Sequence, residues 1–98
     1  MTKPLILTED GPHDIEQAAD WYDQQRAGLG NRFARSVTTA LDAIAFSPKI
    51  YGKVGRQVRA SLVRSLPFVV NYRELTSFVE VVAVIHAKRN SKDWKSRV

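Results

Sequence analysis

The spacing of the apolar residues changes once along the chain, near Tyr51, and that change limits the fold. From Ile15 to Ile44 they recur every three or four positions, as on one face of an α-helix. From Val58 onward they recur at every second position, as in a half-buried strand. A chain that is helical first and extended afterwards must bury a helical layer on a sheet, so an α+β class is expected.

The local signals set the elements. Pro4–Thr8 reads as a short opening strand, stopped by Glu9-Asp10-Gly11-Pro12. Asp10 suits an N-cap and Pro12 a first helical turn. Ile15, Ala18, Ala19 and Tyr22 then form one apolar face, with Tyr22 in the core and Trp21 at its edge against the second helix. Gly28 is the expected left-handed stop. A second helix is predicted from Leu29 to Phe46, on the stripe Leu29, Phe33, Val37, Ala40, Leu41 and Ile44. Ser47-Pro48 ends it, because the residue before proline avoids the helical region. The short link makes the two helices an antiparallel hairpin.

Three strands follow, giving the order β-α-α-β-β-β in one domain spanning residues 1–98. A four-residue loop at 74–77 pairs Tyr72 with Val79, Val70 with Val81 and Phe68 with Ala83. A three-residue bend at 65–67 adds Val58, Ala60 and Leu62 to that apolar face. The helix stripe from Leu29 to Ile44 is then expected on Phe68, Val70, Tyr72, Val81 and Ile85. The opposite face holds Arg59, Ser61, Val63, Val69, Asn71, Arg73, Phe78, Glu80, Val82, Val84 and His86, an open surface that is polar and partly basic. A slip of one residue would exchange the faces.

Charge is unevenly shared. Residues 1–50 hold five Lys/Arg against seven Asp/Glu, and residues 51–98 hold ten against three. A positive C-terminal half favours an anionic or acidic partner. The chain has no cysteine, which excludes disulfides, thiolate nucleophiles and cysteine metal sites. Two histidines make a poor metal centre, and no nucleotide-binding motif is present, so no cofactor is expected. The apolar runs are too short for a membrane helix and no signal-peptide pattern opens the chain. The expected compartment is the cytoplasm.

Two sets of residues suggest chemistry. Ser61, Ser65 and His86 are of nucleophile and base type, but nothing in the sequence places them together. Asp14, Glu16, Asp20 and Asp23 do not share one helix face and read as solvated surface. The open face is the better candidate. Arg59, Arg73, Glu80 and His86 converge on it, with Arg64, Lys88, Arg89 and Trp94 at its rim. Guanidinium and ammonium groups bind phosphates, and an aromatic ring stacks on a base. The plainer alternative has Glu80 neutralising Arg73 across the strand pair.

Three stretches, read together, resemble a known family. They are Asp14-Ile15 through Trp21-Tyr22 and on to Ser47-Pro48; Val58-Arg59 through Leu66-Pro67-Phe68 to Tyr72-Arg73; and Val79–Val84 with His86, Arg89 and Trp94. In this order they resemble the RelE/ParE superfamily of toxins from bacterial toxin–antitoxin operons, over nearly the whole chain. The resemblance implies the β-α-α-β-β-β fold and a cognate antitoxin as partner. RelE-like members cut messenger RNA on the ribosome, whereas ParE-like members are not enzymes and poison DNA gyrase. Arg89 matches the basic position after the last strand, and Asn90 departs from the proline often found next. Where RelE-type nucleases alternate lysines along the second strand, this chain reads Ala60 and Leu62, and it has Val69 where they place an arginine. Trp94 stands near a position often held by tyrosine and has no ionisable hydroxyl. The resemblance is therefore closer to the ParE branch, with gyrase as the implied target. The RelE alternative would use Arg59, Arg64, His86 and Arg89 as a nuclease set, and a third reading is a non-toxic binding module on the same fold.

Overall fold

The computed structural model describes residues 3–8, 10–55, 57–63 and 66–87. The elements are β1 (Leu5–Leu7), α1 (Asp10–Gln25), α2 (Leu29–Phe46), β2 (Lys53–Gly55), β3 (Val58–Leu62), β4 (Phe68–Glu74) and β5 (Val79–His86). The sheet order is β1-β5-β4-β3-β2, with β1 parallel to β5 and the other pairs antiparallel. Both helices fall where the sequence puts them. Gly28 has φ 92°, and the Ser47 amide donates to the Ala43 carbonyl to close α2 before Pro48. β2 was not expected. It is three residues long and irregularly paired with β3, too short for a period to show.

The two helices meet at a glycine. A Cβ on Gly30 would lie 2.6 Å from the Ala19 carbonyl oxygen and from the Asp23 carboxylate. No larger residue fits without moving α1 away from α2. The Gly30 amide donates to Asp23 Oδ1 at 2.8 Å, which supplies the open N-terminus of α2 with an acceptor. Leu29, expected in the helix stripe, is only half-buried and lies outside the core cluster. Phe33, Val37 and Ile44 are buried, and Leu41 packs half-buried beside them.

The strand registers depart from expectation at two points. The Val63 amide donates to the Phe68 carbonyl at 2.8 Å, so four residues, 64–67, connect β3 to β4 where three were expected. This single extra residue turns β3 over. Ser61 pairs with Val70 and Arg59 with Tyr72 on the helix side, where Val63 joins the core. Val58, Ala60 and Leu62 point to the far face, and Leu62 is 65% exposed. The second departure lies in β5. The loop before it spans 75–78, so Tyr72 pairs with Val81, but Asn71 pairs with Ala83, and Val82 is left as an extra residue. Such a bulge resets the alternation of a strand. Val79, Val81 and Val84 face the helices, whereas Val82, Ala83 and Ile85 form a separate apolar cluster with Val58.

The expected contact of Ile85 with the helices is thus corrected, and so are the expected far-face positions of Val84 and His86. Among the described residues the far face is largely apolar: Val58, Ala60, Leu62, Val69, Val82, Ala83 and Ile85 surround Asn71, Arg73 and Glu80. The expectation of a polar, basic open face does not hold there. Alternation alone misled because both parities of β3 contain apolar residues.

Candidate functional site

The same shifts separate the residues expected to converge. Arg59 lies on the helix side, and its Nη1 donates to the Tyr51 carbonyl at 2.6 Å and the Lys49 carbonyl at 3.3 Å. Its cross-strand neighbour Tyr72 donates its hydroxyl to the Pro48 carbonyl at 2.6 Å. Arg59 and Tyr72 together hold the 48–51 loop against the sheet. Burial pushes the Tyr72 hydroxyl up to about 12, with the Arg59 charge acting in the opposite direction. Arg73 is on the far face, with its Nη2 2.6 Å from Glu80 Oε1, so Glu80 neutralises Arg73 across the strand pair. His86 pairs with Phe68 at the other end of β5. Arg64, Lys88, Arg89 and Trp94 lie outside the described residues, as do seven of the ten Lys/Arg of the C-terminal half.

A concave site forms elsewhere, between α1 and the second half of β5. It is a groove of about 710 Å³ with α1 on one wall and Val84, Ile85 and His86 on the other. Pro67 and Phe68 close its end. Its lining joins the rings of Trp21, Tyr22 and Phe68 to the polar side chains of His13, Asp14, Gln17 and His86. The Phe68 ring meets His86 edge-on at 5.5 Å, with Tyr22 6.1 Å away, and Trp21 packs edge-on against Tyr22 at 5.1 Å. Phe33 continues the chain of rings into the core, 5.0 Å from Phe68 and stacked on Tyr22 at 5.3 Å. Burial raises the Tyr22 hydroxyl above its usual range. Trp21 is 55% exposed, and no described residue of α2 lines the groove it borders.

The groove exists because β1 is short. β1 covers the outer edge of β5 only from Val79 to Val81. After the bulge the chain of α1 takes its place, and Asp14 Oδ2 accepts the Val84 amide at 3.1 Å. A side-chain carboxylate thus stands in for a strand carbonyl. Asp14 and Asp23, read from the sequence as solvated charge, therefore both accept backbone amides. Their sequence gave no cue, since the acceptors and donors are brought together only by the tertiary fold. The groove itself was also missed, because it joins residues from three separated stretches. A volume of this size that combines apolar walls with converging polar groups is typical of a binding site.

No protein-family model and no curated protein matches the chain. A solved structure does. It is described as the "Chromosomal ParDE TA system from P. aeruginosa", and one of its chains is 12% identical, with a TM-score of 0.67 over 87% of this chain and 96% of that chain. The fold is shared. At this identity the likeness is one of backbone architecture, and it agrees with the α+β arrangement of two helices on a five-stranded sheet. No helix among the described residues is long and apolar enough to cross a membrane.

Proposed function

We propose that the chain is the toxin of a type II toxin–antitoxin pair, of the ParE kind, which binds a protein target and is neutralised by a cognate antitoxin. DNA gyrase is the proposed target and the cytoplasm the proposed compartment. The fold shared with a ParDE-system chain supports the class. One observation favours protein binding over RNA cleavage. The positions where a RelE-type nuclease would carry cations are Ala60, Leu62 and Val69, and they lie side by side on the far face, with Leu62 paired to Val69. A cleaving phosphate needs positive charge there, and removal of one such donor from an active site costs on the order of 3 kcal/mol. An apolar set in those places, of which Leu62 is the exposed member, suits an interface instead.

Within this reading Arg89 and Trp94 are the anchors of the target contact, as arginine and aromatic residues commonly are. The antitoxin contributes an acidic, amphipathic segment that adds a helix or strand to the toxin. Buried apolar contacts supply most of its affinity, and its charge raises the association rate toward the basic half.

The test is induced expression without the antitoxin, with DNA breaks and transcript integrity measured in the same cultures. Growth arrest with gyrase-dependent DNA damage is expected, reduced by Arg89→Ala and Trp94→Ala in variants that remain folded. Ribosome-dependent transcript cleavage by the purified chain, abolished by His86→Ala, would replace this reading with the nuclease one. Harmless expression together with no binding to the product of the neighbouring gene would point to a non-toxic binding module.

A further inference from the structure

The groove differs in charge from the rest of the molecule. The chain carries a net charge of +5, yet α1 has five Asp/Glu and no Lys/Arg. Glu16 and Asp20 stand one turn apart, exposed, in a row beside Gln17 and Trp21. Like charges at i, i+4 repel one another. No ion pair among the described residues offsets either of them. Beside this acidic row lies the aromatic groove of Trp21, Phe68 and His86, with Asp14 in its wall. A trough with apolar and aromatic walls, bordered by the carboxylates of Glu16 and Asp20, is complementary to a segment with the opposite pattern.

We infer that this groove docks a cationic amphipathic segment of a partner protein. Its Lys or Arg side chains lie over Glu16 and Asp20, and one of its apolar or aromatic side chains fills the space between Trp21 and Phe68. Arginine in the segment gains further from the exposed face of Trp21. The surface is distinct in sign from the basic half, so one molecule holds two partners of opposite charge. The inference rests on the groove and its charges and stands whether or not the chain is a toxin.

Two synthetic peptides test it: one amphipathic, with Lys and Arg on one face and Leu and Phe on the other, and one with Glu at every cationic position. The protein carries Trp94→Phe, so that Trp21 alone reports binding by fluorescence. The cationic peptide is expected to shift Trp21 emission saturably and to bind more weakly as salt is raised. Neutralising Glu16→Gln and Asp20→Asn together should weaken it about fivefold, and Trp21→Ala, followed with labelled peptide, about tenfold or more. Trp21, Glu16 and Asp20 are exposed, so the variants keep the fold, which circular dichroism checks. Equal binding of the acidic peptide, or affinities unchanged in both variants, would overturn the inference. So would self-association of the chain alone that disappears in the Glu16→Gln, Asp20→Asn variant, since the occupant would then be a second copy's basic half.

Discussion

The two halves of β5 have nearly the same composition and behave differently. Val79–Val81 lies between two strands, with β1 on one side and β4 on the other, and its valines face the helices. Among the described strands Ala83–His86 pairs with β4 alone, and a carboxylate from α1 serves its outer edge. Val82 stands between them as the extra residue. Before it, the odd-numbered residues enter the core, and after it Val84 does. One apolar run therefore supplies two different cores, one on each face of the sheet. A strand's face depends on its pairing, and an unbroken apolar run records no pairing.

The most severe disruption of this contrast is Val84→Asp. Val84 is buried on the helix side opposite Val70, and a carboxylate there loses its hydration while the strand pairing is unchanged. The expected loss is about 5 kcal/mol, comparable with the whole stability of a small domain, seen as a chain unfolded at room temperature by circular dichroism. A variant that stays folded would show that the second half of β5 tolerates a charge on its helix side.

Ile85→Ala tests whether the far-face cluster is a core in its own right. A cavity there should cost about 2–4 kcal/mol in urea denaturation. A cost under 1 kcal/mol would mean that the cluster with Val58 adds little to stability.

Asp14→Ala separates the two edges of β5. It leaves the buried Val84 amide without that acceptor, at a cost of about 1–2 kcal/mol. Hydrogen exchange should quicken at Val84 and stay unchanged at Val79, whose amide donates to the Pro4 carbonyl at 2.8 Å. Equal acceleration at both would show that the halves open together.

Tyr72→Phe has the smallest effect, about 1 kcal/mol for one hydrogen bond, and it tests the pairing just ahead of the bulge. The folded hydroxyl titrates near 12 and the unfolded one near 10.0. The unfolded state therefore loses its proton first, and the wild-type chain loses stability as pH rises from about 10 to about 12. The contribution is fully present below that window. The stability difference between wild type and Tyr72→Phe should shrink across it, and a constant difference would mean that the hydroxyl is not shielded by the fold.

The helices were legible in the sequence because their ends carry their own chemistry. Gly28 alone accepts the left-handed turn cheaply, and Pro48 excludes a further helical residue before it. The strands were legible as strands, but their registers were not. A loop of four residues at 64–67 or of three is an equally plausible reading of Arg64-Ser65-Leu66-Pro67, and the choice turns over all of β3. Val58, Ala60 and Leu62 compete with Ser61 and Val63 for the core, and their composition does not settle the contest. The candidate site was the least legible part. Arg59 was visible as a cation, whereas its use in fixing the 48–51 loop depends on pairing with Tyr72. Trp21, Phe68 and His86 meet only because β5 slips by one position after Val81.

The parallel pairing of β1 with β5 also orders events in time. β1 precedes the other described elements in the chain, and among the described strands its neighbour is β5, which follows them all. The α1–α2 hairpin closes over a short span of chain and can form early, but the β1–β5 contact spans almost the whole described sequence and forms late, as long-range pairings do. Until β5 emerges, β1 has no ladder and the inner face of the hairpin has only part of its cover. A chain stalled in synthesis before Val79 therefore lacks the strand that joins β1 to β4 and the β5 wall of the groove, so a nascent fragment carries the acidic side of α1 without the trough beside it.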